Sequence, residues 1–178
     1  QWTGRDLCTE AQWEKAARGG CEFSADELAC EALGRTYPWG NEPPNCSLVI
    51  MVGSGGEPSG CGNSGTSEVC SRSPAGDSLY GLCDMAGNVY EWTLDAYFRD
   101  YYCNGPDSTG QSLCENCGTP FGGTAAWMNP LATGSVSSHA TRGGGYHSTQ
   151  SYLTVSNRNY VAAVSSNYYT GIRCCRTP

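Results

Sequence analysis

Hydrophobic and polar positions follow two different rhythms along this chain, and the change falls near residue 37. Upstream, Trp13, Ala16 and Ala17 recur at the spacing that puts side chains on one face of a helix. Thr9 followed by Gln12 fits a capping box, Glu10 suits the positive end of the helix dipole, and Lys15 and Arg18 precede a stop at Gly19-Gly20. Ser24 and Glu27 repeat the device. With Leu28, Ala32 and Leu33 as an apolar side and Gly34 as the stop, they predict a second helix of about nine residues. Downstream, Gly, Pro, Asn, Asp and Ser interrupt short runs of aromatic and β-branched residues, the pattern of short strands between long loops. Strands are predicted at 48–52, 89–93, 152–155 and 160–164. Gly143-Gly144-Gly145 predicts a close approach of two backbones or dihedrals closed to other residues.

A chain of 178 residues with no visible internal repeat is expected to form a single domain spanning 1–178. Its charged fraction is 15%, against roughly 25% in ordinary soluble proteins. The net charge is -7, and the one lysine and nine arginines are scattered, which argues against duplex nucleic acid as a partner. The longest apolar run, at 48–52, is five residues, far short of the roughly 20 that a spanning helix needs. Gln1-Trp2-Thr3-Gly4 has neither a basic nor an apolar leader region, so any export signal precedes Gln1 or has been removed.

The 12 cysteines change the picture most. A reducing cytosol would leave so many thiols exposed to oxidation, whereas an exported chain can pair them, so an extracellular or cell-surface location is expected. Zinc is disfavoured because His139 and His147 lie near neither of the close cysteine pairs, Cys114 with Cys117 and Cys174 with Cys175. Cys114 and Cys117 sit in a Gly/Ser/Asn-rich stretch with no helical pattern after them, and read as a local staple rather than a redox pair. Spacing alone does not assign the bridges; Cys21 with Cys30 and Cys61 with Cys70 are the sequence-near candidates. Long loops draw little order from hydrogen-bonded ladders, so disulfides or a bound cation would have to supply it.

The segment Thr9-Glu10-Ala11-Gln12-Trp13-Glu14-Lys15-Ala16-Ala17-Arg18-Gly19-Gly20 resembles the signature helix of the formylglycine-generating enzyme (sulfatase-modifying factor) family. Further landmarks follow in family order: Tyr37-Pro38-Trp39-Gly40-Asn41, Tyr80-Gly81-Leu82-Cys83-Asp84-Met85-Ala86-Gly87-Asn88-Val89-Tyr90-Glu91-Trp92, Arg142-Gly143-Gly144-Gly145 and Gly171-Ile172-Arg173. The resemblance implies an α+β, C-type-lectin-like fold with two short helices, short strands and long disulfide-stapled loops. It also implies first strands that this chain lacks before its signature helix, either missing or supplied by a partner chain. The family's enzymes hold copper with two cysteines beyond the Gly-Gly motif, and alignment puts Ser148 and Leu153 at those positions. A hydroxyl and an aliphatic side chain do not bind Cu(I) as thiolates do. The related iron enzymes use a histidine cluster that two histidines cannot build. A non-enzymatic role without copper, iron or zinc is expected.

By the same resemblance, Asp84 and Glu91 through their side chains and Gly87 and Val89 through their carbonyls would bind a structural calcium ion, an oxygen set suited to a hard cation. The competing reading is that Asp84 caps a turn and Glu91 pairs with an arginine. A second family calcium site, through Asn45, lacks its acidic partner near Cys61 and is not assigned.

Residues 146–170 contain five Tyr, five Ser, three Thr and three Asn, with no Lys, no acid and one arginine, Arg158. Tyr gives broad contact area with few rotors and Ser and Asn give adaptable hydrogen bonds, a composition suited to binding; β-strands are also rich in Tyr and Thr. The segment further resembles the hypervariable region of diversity-generating-retroelement variable proteins, whose adenine-directed mutagenesis turns Asn codons into Tyr, Ser, Thr, His and related residues. The candidate ligand-binding residues are Tyr146, His147, Ser148, Thr149, Ser151, Tyr152, Asn157, Asn159, Tyr160, Val161, Asn167, Tyr168 and Tyr169. Leu153, Val155, Arg158, Gly171 and Ile172 would be fixed scaffold, with Arg158 in a buried ion pair. The function expected is a non-catalytic extracellular module that binds a protein or surface ligand. The alternatives are an oxidoreductase of the same superfamily, or a structural subunit of a surface appendage that packs its aromatic face on a neighbour.

Overall fold

The computed structural model describes residues 5–24, 34–53, 58–99, 101, 131–134 and 137–176. The capping signals place the one described α-helix, α1 (Glu10–Arg18), where they predict it. The Thr9 hydroxyl accepts the Gln12 N–H and the Gln12 side chain accepts the Thr9 N–H. Trp13 and Ala17 pack with Cys8, Met85 and Val155 in one core cluster. The second predicted helix and Cys30 fall within residues 25–33, outside the described residues.

Strand β1 (Asp6–Leu7) pairs antiparallel with β6 (Cys174–Cys175), and the Cys8–Cys175 disulfide pins that ribbon. The main sheet has the order β4-β3-β2-β5, with β2 (Tyr90–Ala96), β3 (Ser138–Arg142), β4 (Asn159–Ala162) and β5 (Thr170–Ile172). Neighbours pair antiparallel except β2 with β5, which is parallel. β4 and β5 are therefore opposite edges of one sheet, although only seven residues separate them in sequence.

The strands predicted at 89–93 and 160–164 form as β2 and β4, with ends shifted by one to three residues. The predictions at 48–52 and 152–155 are corrected. Val49, Ile50 and Met51 are buried, but their segment spends its backbone bonds on three places: Asn88 N–H on the Ile50 carbonyl, Cys61 N–H on that of Met51, and Val52 N–H on that of Ser148. With three partners no ladder forms. Residues 152–155 follow a 3-10 turn (Gln150–Tyr152) and turn again, burying Leu153 and Val155. The sequence reading missed β3, whose Ser-His-Ala-Thr-Arg has little apolar signal because its buried Thr141 and Arg142 are polar.

Disulfides join Cys46 to Cys61 and Cys70 to Cys83, which corrects the pairing of Cys61 with Cys70. Cys61 faces the 46–51 segment through its N–H to the Met51 carbonyl, and Cys70 faces Asp84 through its N–H to that carboxylate. Cys21 is also disulfide-bonded. Cys114 and Cys117 lie outside the described residues. These bridges are those of an oxidising environment, and no described helix is long and apolar enough to cross a membrane.

Two glycines are required by close approaches. At Gly87 (φ +71°) a Cβ would sit 2.3 Å from the Ile50 carbonyl oxygen, and at Gly144 (φ +74°) one would sit 2.9 Å from that of Tyr152. The glycine run therefore does what its sequence predicts. Farther out, the Tyr80 hydroxyl donates to Glu22 beside the Phe23 ring. Burial and then the Glu22 carboxylate push the Tyr80 phenol up to about 12. The fold favours the neutral phenol, so this contribution to stability is complete below the ordinary value of 10 and lost as pH rises through about 12. Titration followed by ultraviolet phenolate absorbance should show a late-ionising tyrosine that Tyr80→Phe removes and Glu22→Gln shifts part of the way back; no change in either variant would contradict the assignment.

Candidate functional site

The frame beneath the site is ionic. Glu10 has a side chain 1% exposed and lies at the start of α1, where it meets two arginines. Arg158 grips it with Nε at 2.7 Å and Nη2 at 2.9 Å, and Arg142 Nε lies 3.6 Å away. Arg142 also donates to Glu14 and to the Val155 and Asn157 carbonyls, and its guanidinium lies 5.2 Å from the Trp13 ring centroid. Asp95 on β2 accepts the Glu10 and Ala132 N–H groups at 2.6 and 3.0 Å. Burial raises its carboxyl above the ordinary range against the pull of those bonds. Arg158 thus has the buried ion pair expected of it.

The two positions at which the resemblance places copper cysteines converge. A Cβ on Gly144 would lie 2.9 Å from Leu153 Cδ2 and 3.4 Å from Ser148 Cβ. Both residues are buried. Leu153 packs with Tyr37, Val49, Met51 and Ala86. The Ser148 hydroxyl accepts the Gly145 N–H at 2.9 Å and donates to the Tyr90 hydroxyl at 3.2 Å. Ser148 is thus a brace for the turn, which corrects its place among the ligand contacts.

Both carboxylates of the loop expected to hold calcium have partners within the protein. Glu91 accepts Arg173 on both oxygens, at 2.8 and 2.9 Å, and the Trp13 indole N–H at 2.7 Å. Asp84 accepts the Cys70 N–H at 2.8 Å. A carboxylate neutralised on both oxygens by a guanidinium offers little to a dication, so Glu91 as it stands matches the competing reading of a pair with an arginine. Among the described residues, the one group of three acidic, histidine or cysteine ligands close enough to share an ion is Cys70, Cys83 and Asp84, and its two sulfurs are bonded to each other.

An aromatic cleft of about 520 Å³ opens beside this frame, lined by Pro58, Ser59, Ser64, Tyr146, His147, Tyr168 and Tyr169. Backbone bonds place its walls. Tyr146 donates its N–H to the Asn88 carbonyl and accepts Gly60 N–H on its own, while the Tyr169 carbonyl accepts the Tyr90 N–H. The His147 ring lies 5.0 Å from that of Tyr146 and 5.1 Å from that of Tyr169, and Tyr168 lies 5.4 Å from Tyr169. Burial, followed by the charge of Tyr168 and a hydrogen bond to it, raises the Tyr146 phenol.

The predicted binding residues thus separate into groups. Tyr146, His147, Tyr168 and Tyr169 share the cleft, with the half-buried Asn167 next to Tyr168 in sequence. Thr149, Ser151 and Tyr152 are exposed along the 3-10 turn. Asn159, Tyr160 and Val161 lie on β4 at the other edge of the sheet, where Tyr160 packs on Tyr97 with ring centroids 4.7 Å apart. The Asn157 carbonyl is held by Arg142. Sequence reasoning missed Pro58, Ser59 and Ser64, whose residue types carry no binding signal and whose segment is brought in by the Gly60 bond to Tyr146.

Residues 1–178 match the family described as the sulfatase-modifying factor enzyme 1-like domain. The formylglycine-generating enzyme of Thermomonospora curvata is 30% identical over 99% of this chain and 51% of its own length. The inactive C-alpha-formylglycine-generating enzyme 2 of Bos taurus is 39% identical over 54% of this chain and 28% of its own. The chain thus spans about half the length, or less, of these curated relatives. Among solved structures, Treponema denticola variable protein 1 superposes with a TM-score of 0.59 at 24% identity, covering 97% of this chain and 48% of that one. PvdO from Pseudomonas aeruginosa does so at 0.59 and 22%, covering 96% and 51%. Both likenesses are of fold, and the fold is α+β, of the formylglycine-generating-enzyme type. With motif order, buried frame and full-length match in agreement, this chain belongs to the sulfatase-modifying factor enzyme 1-like domain family.

Proposed function

We propose that this domain is a non-catalytic extracellular binding module whose ligand site is the aromatic cleft at Tyr146, His147, Tyr168 and Tyr169. The observation that carries this reading is a contrast within one segment. The positions aligned with copper cysteines are Ser148 and Leu153, 4% and 1% exposed, while Tyr168 is 81% exposed with no core to fill. Large exposed aromatic rings around a concavity are costly to leave in water and are commonest where something covers them. A relative bearing the word inactive in its name, alongside others that are enzymes, supports a family scaffold used both with and without chemistry. The disulfides support an extracellular setting.

Anaerobic titration with Cu(I), followed by oxygen uptake in the presence of a cysteine-containing peptide, tests the non-catalytic half. The expected result is no stoichiometric copper binding and no oxygen consumption above buffer. One equivalent of tightly held copper with peptide-dependent oxygen uptake would overturn it.

A further inference from the structure

Two short segments supply the rings of the cleft, and one buried residue bonds to both. Tyr146 and His147 are the corner residues of a turn that Ser148 closes twice: its N–H donates to the Gly145 carbonyl and its hydroxyl accepts the Gly145 N–H, each at 2.9 Å. Tyr168 and Tyr169 immediately precede β5. Tyr90, at the start of β2, is 6% exposed and does not line the cleft. Its N–H donates to the Tyr169 carbonyl at 2.9 Å, and its hydroxyl accepts from that of Ser148 at 3.2 Å. Its ring backs the turn: a Cβ on Gly145 would lie 3.4 Å from both Tyr90 Cδ2 and His147 Cε1, and the Tyr90 and His147 ring centroids are 6.1 Å apart. Without the Tyr90 hydroxyl, the buried Ser148 hydroxyl keeps a donor that has lost its acceptor, so the turn gains from moving.

We infer that Tyr90 is the positioning residue of the cleft. Through its hydroxyl and Ser148 it fixes the turn carrying Tyr146 and His147, and through its N–H it holds the segment carrying Tyr168 and Tyr169. The spacing of the two walls, 5.1 Å between the His147 and Tyr169 ring centroids, is therefore set by a side chain outside the cleft. The inference rests on the binding reading above and adds what governs the fit of that site.

The test is proton nuclear magnetic resonance of the intact disulfide-bonded protein without any ligand, so its failure is distinct from failure of the binding reading. The chain has two histidines, and His147→Asn assigns their imidazole signals. His147 reports on the cleft through the rings of Tyr146 and Tyr169, while His139 on β3, outside the cleft, is the internal control. At one fixed pH, Tyr90→Phe is expected to move the His147 signal toward that of a histidine in an unfolded peptide and to leave His139 in place, with the melting temperature lower by only a few degrees. Ser148→Ala should displace the same signal, and adding Tyr90→Phe to it should displace it no further. An unmoved His147 signal in Tyr90→Phe would overturn the inference. Displacement of both histidines, or loss of the folded spectrum, would make Tyr90 a general structural residue and overturn it too. A further shift on adding Tyr90→Phe to Ser148→Ala would contradict action through Ser148.

Discussion

Replacing Glu10 by alanine is expected to destabilise the domain by about 3–5 kcal/mol, with a melting temperature lower by about 10 °C. Glu10 is the shared counter-charge of Arg158, which grips it on both oxygens, and of Arg142, whose side chain is fully buried. Removing it takes from two largely buried guanidinium groups the carboxylate they share. The cost is that of uncompensated charge rather than of one lost hydrogen bond. Glu10→Gln keeps the volume and one acceptor, and is expected to fall between alanine and the parent chain. Chemical denaturation of the three proteins checks the order; a loss under about 1 kcal/mol for Glu10→Ala would show that water reaches the arginines and that the ionic frame is not closed.

The second large effect belongs to Cys8–Cys175, which joins the two ends of the described fold across a separation of 167 residues. Chain-entropy reasoning gives such a link about 5 kcal/mol, against about 3 kcal/mol for separations near those of Cys46–Cys61 and Cys70–Cys83. The same bridge pins the β1–β6 ribbon beside α1. The double variant Cys8→Ala, Cys175→Ala is therefore expected to melt well below the variant that removes Cys70 and Cys83. Equal losses would indicate that residual structure in the unfolded chain already holds the termini together.

How much of this was legible in the sequence depends on where each signal is stored. The start of α1 is local: Thr9, Gln12 and Glu10 act over one turn, and structure and sequence agree to the residue. The family motifs were legible for the same reason, because each is a short run whose residues meet their partners wherever the rest of the chain goes. The segment 48–52 looked like a strand because burial alone makes a run of Leu, Val, Ile and Met, and composition does not say whether backbone bonds go to one neighbour or to three. β3 was illegible for the converse reason: Thr141 and Arg142 are buried by pairing, and pairing is a long-range fact. Proximity in sequence also misled the reading of the binding segment. Asn159, Tyr160 and Val161 were grouped with Tyr168 and Tyr169, yet the chain crosses the sheet between β4 and β5, which puts the two sets on opposite edges. Ser148 shares its residue type with good ligand contacts, and only the Gly145 and Tyr90 hydrogen bonds reveal it as a brace.

The rings of the cleft, exposed at His147 and Tyr168 and half-buried at Tyr146 and Tyr169, are expected to contact a ligand and hold up nothing else. The most direct measurement compares the parent protein with the double variant Tyr168→Ala, Tyr169→Ala on an array of glycans, peptides and small-molecule conjugates, with the melting temperature of each recorded on the same preparation. The parent is expected to give a defined set of positive spots, the double variant to lose them, and the two proteins to melt within a few degrees of each other. Retention of every spot by the variant, or a collapse of its melting temperature, would contradict it: the first would place binding elsewhere, and the second would make these tyrosines part of the core.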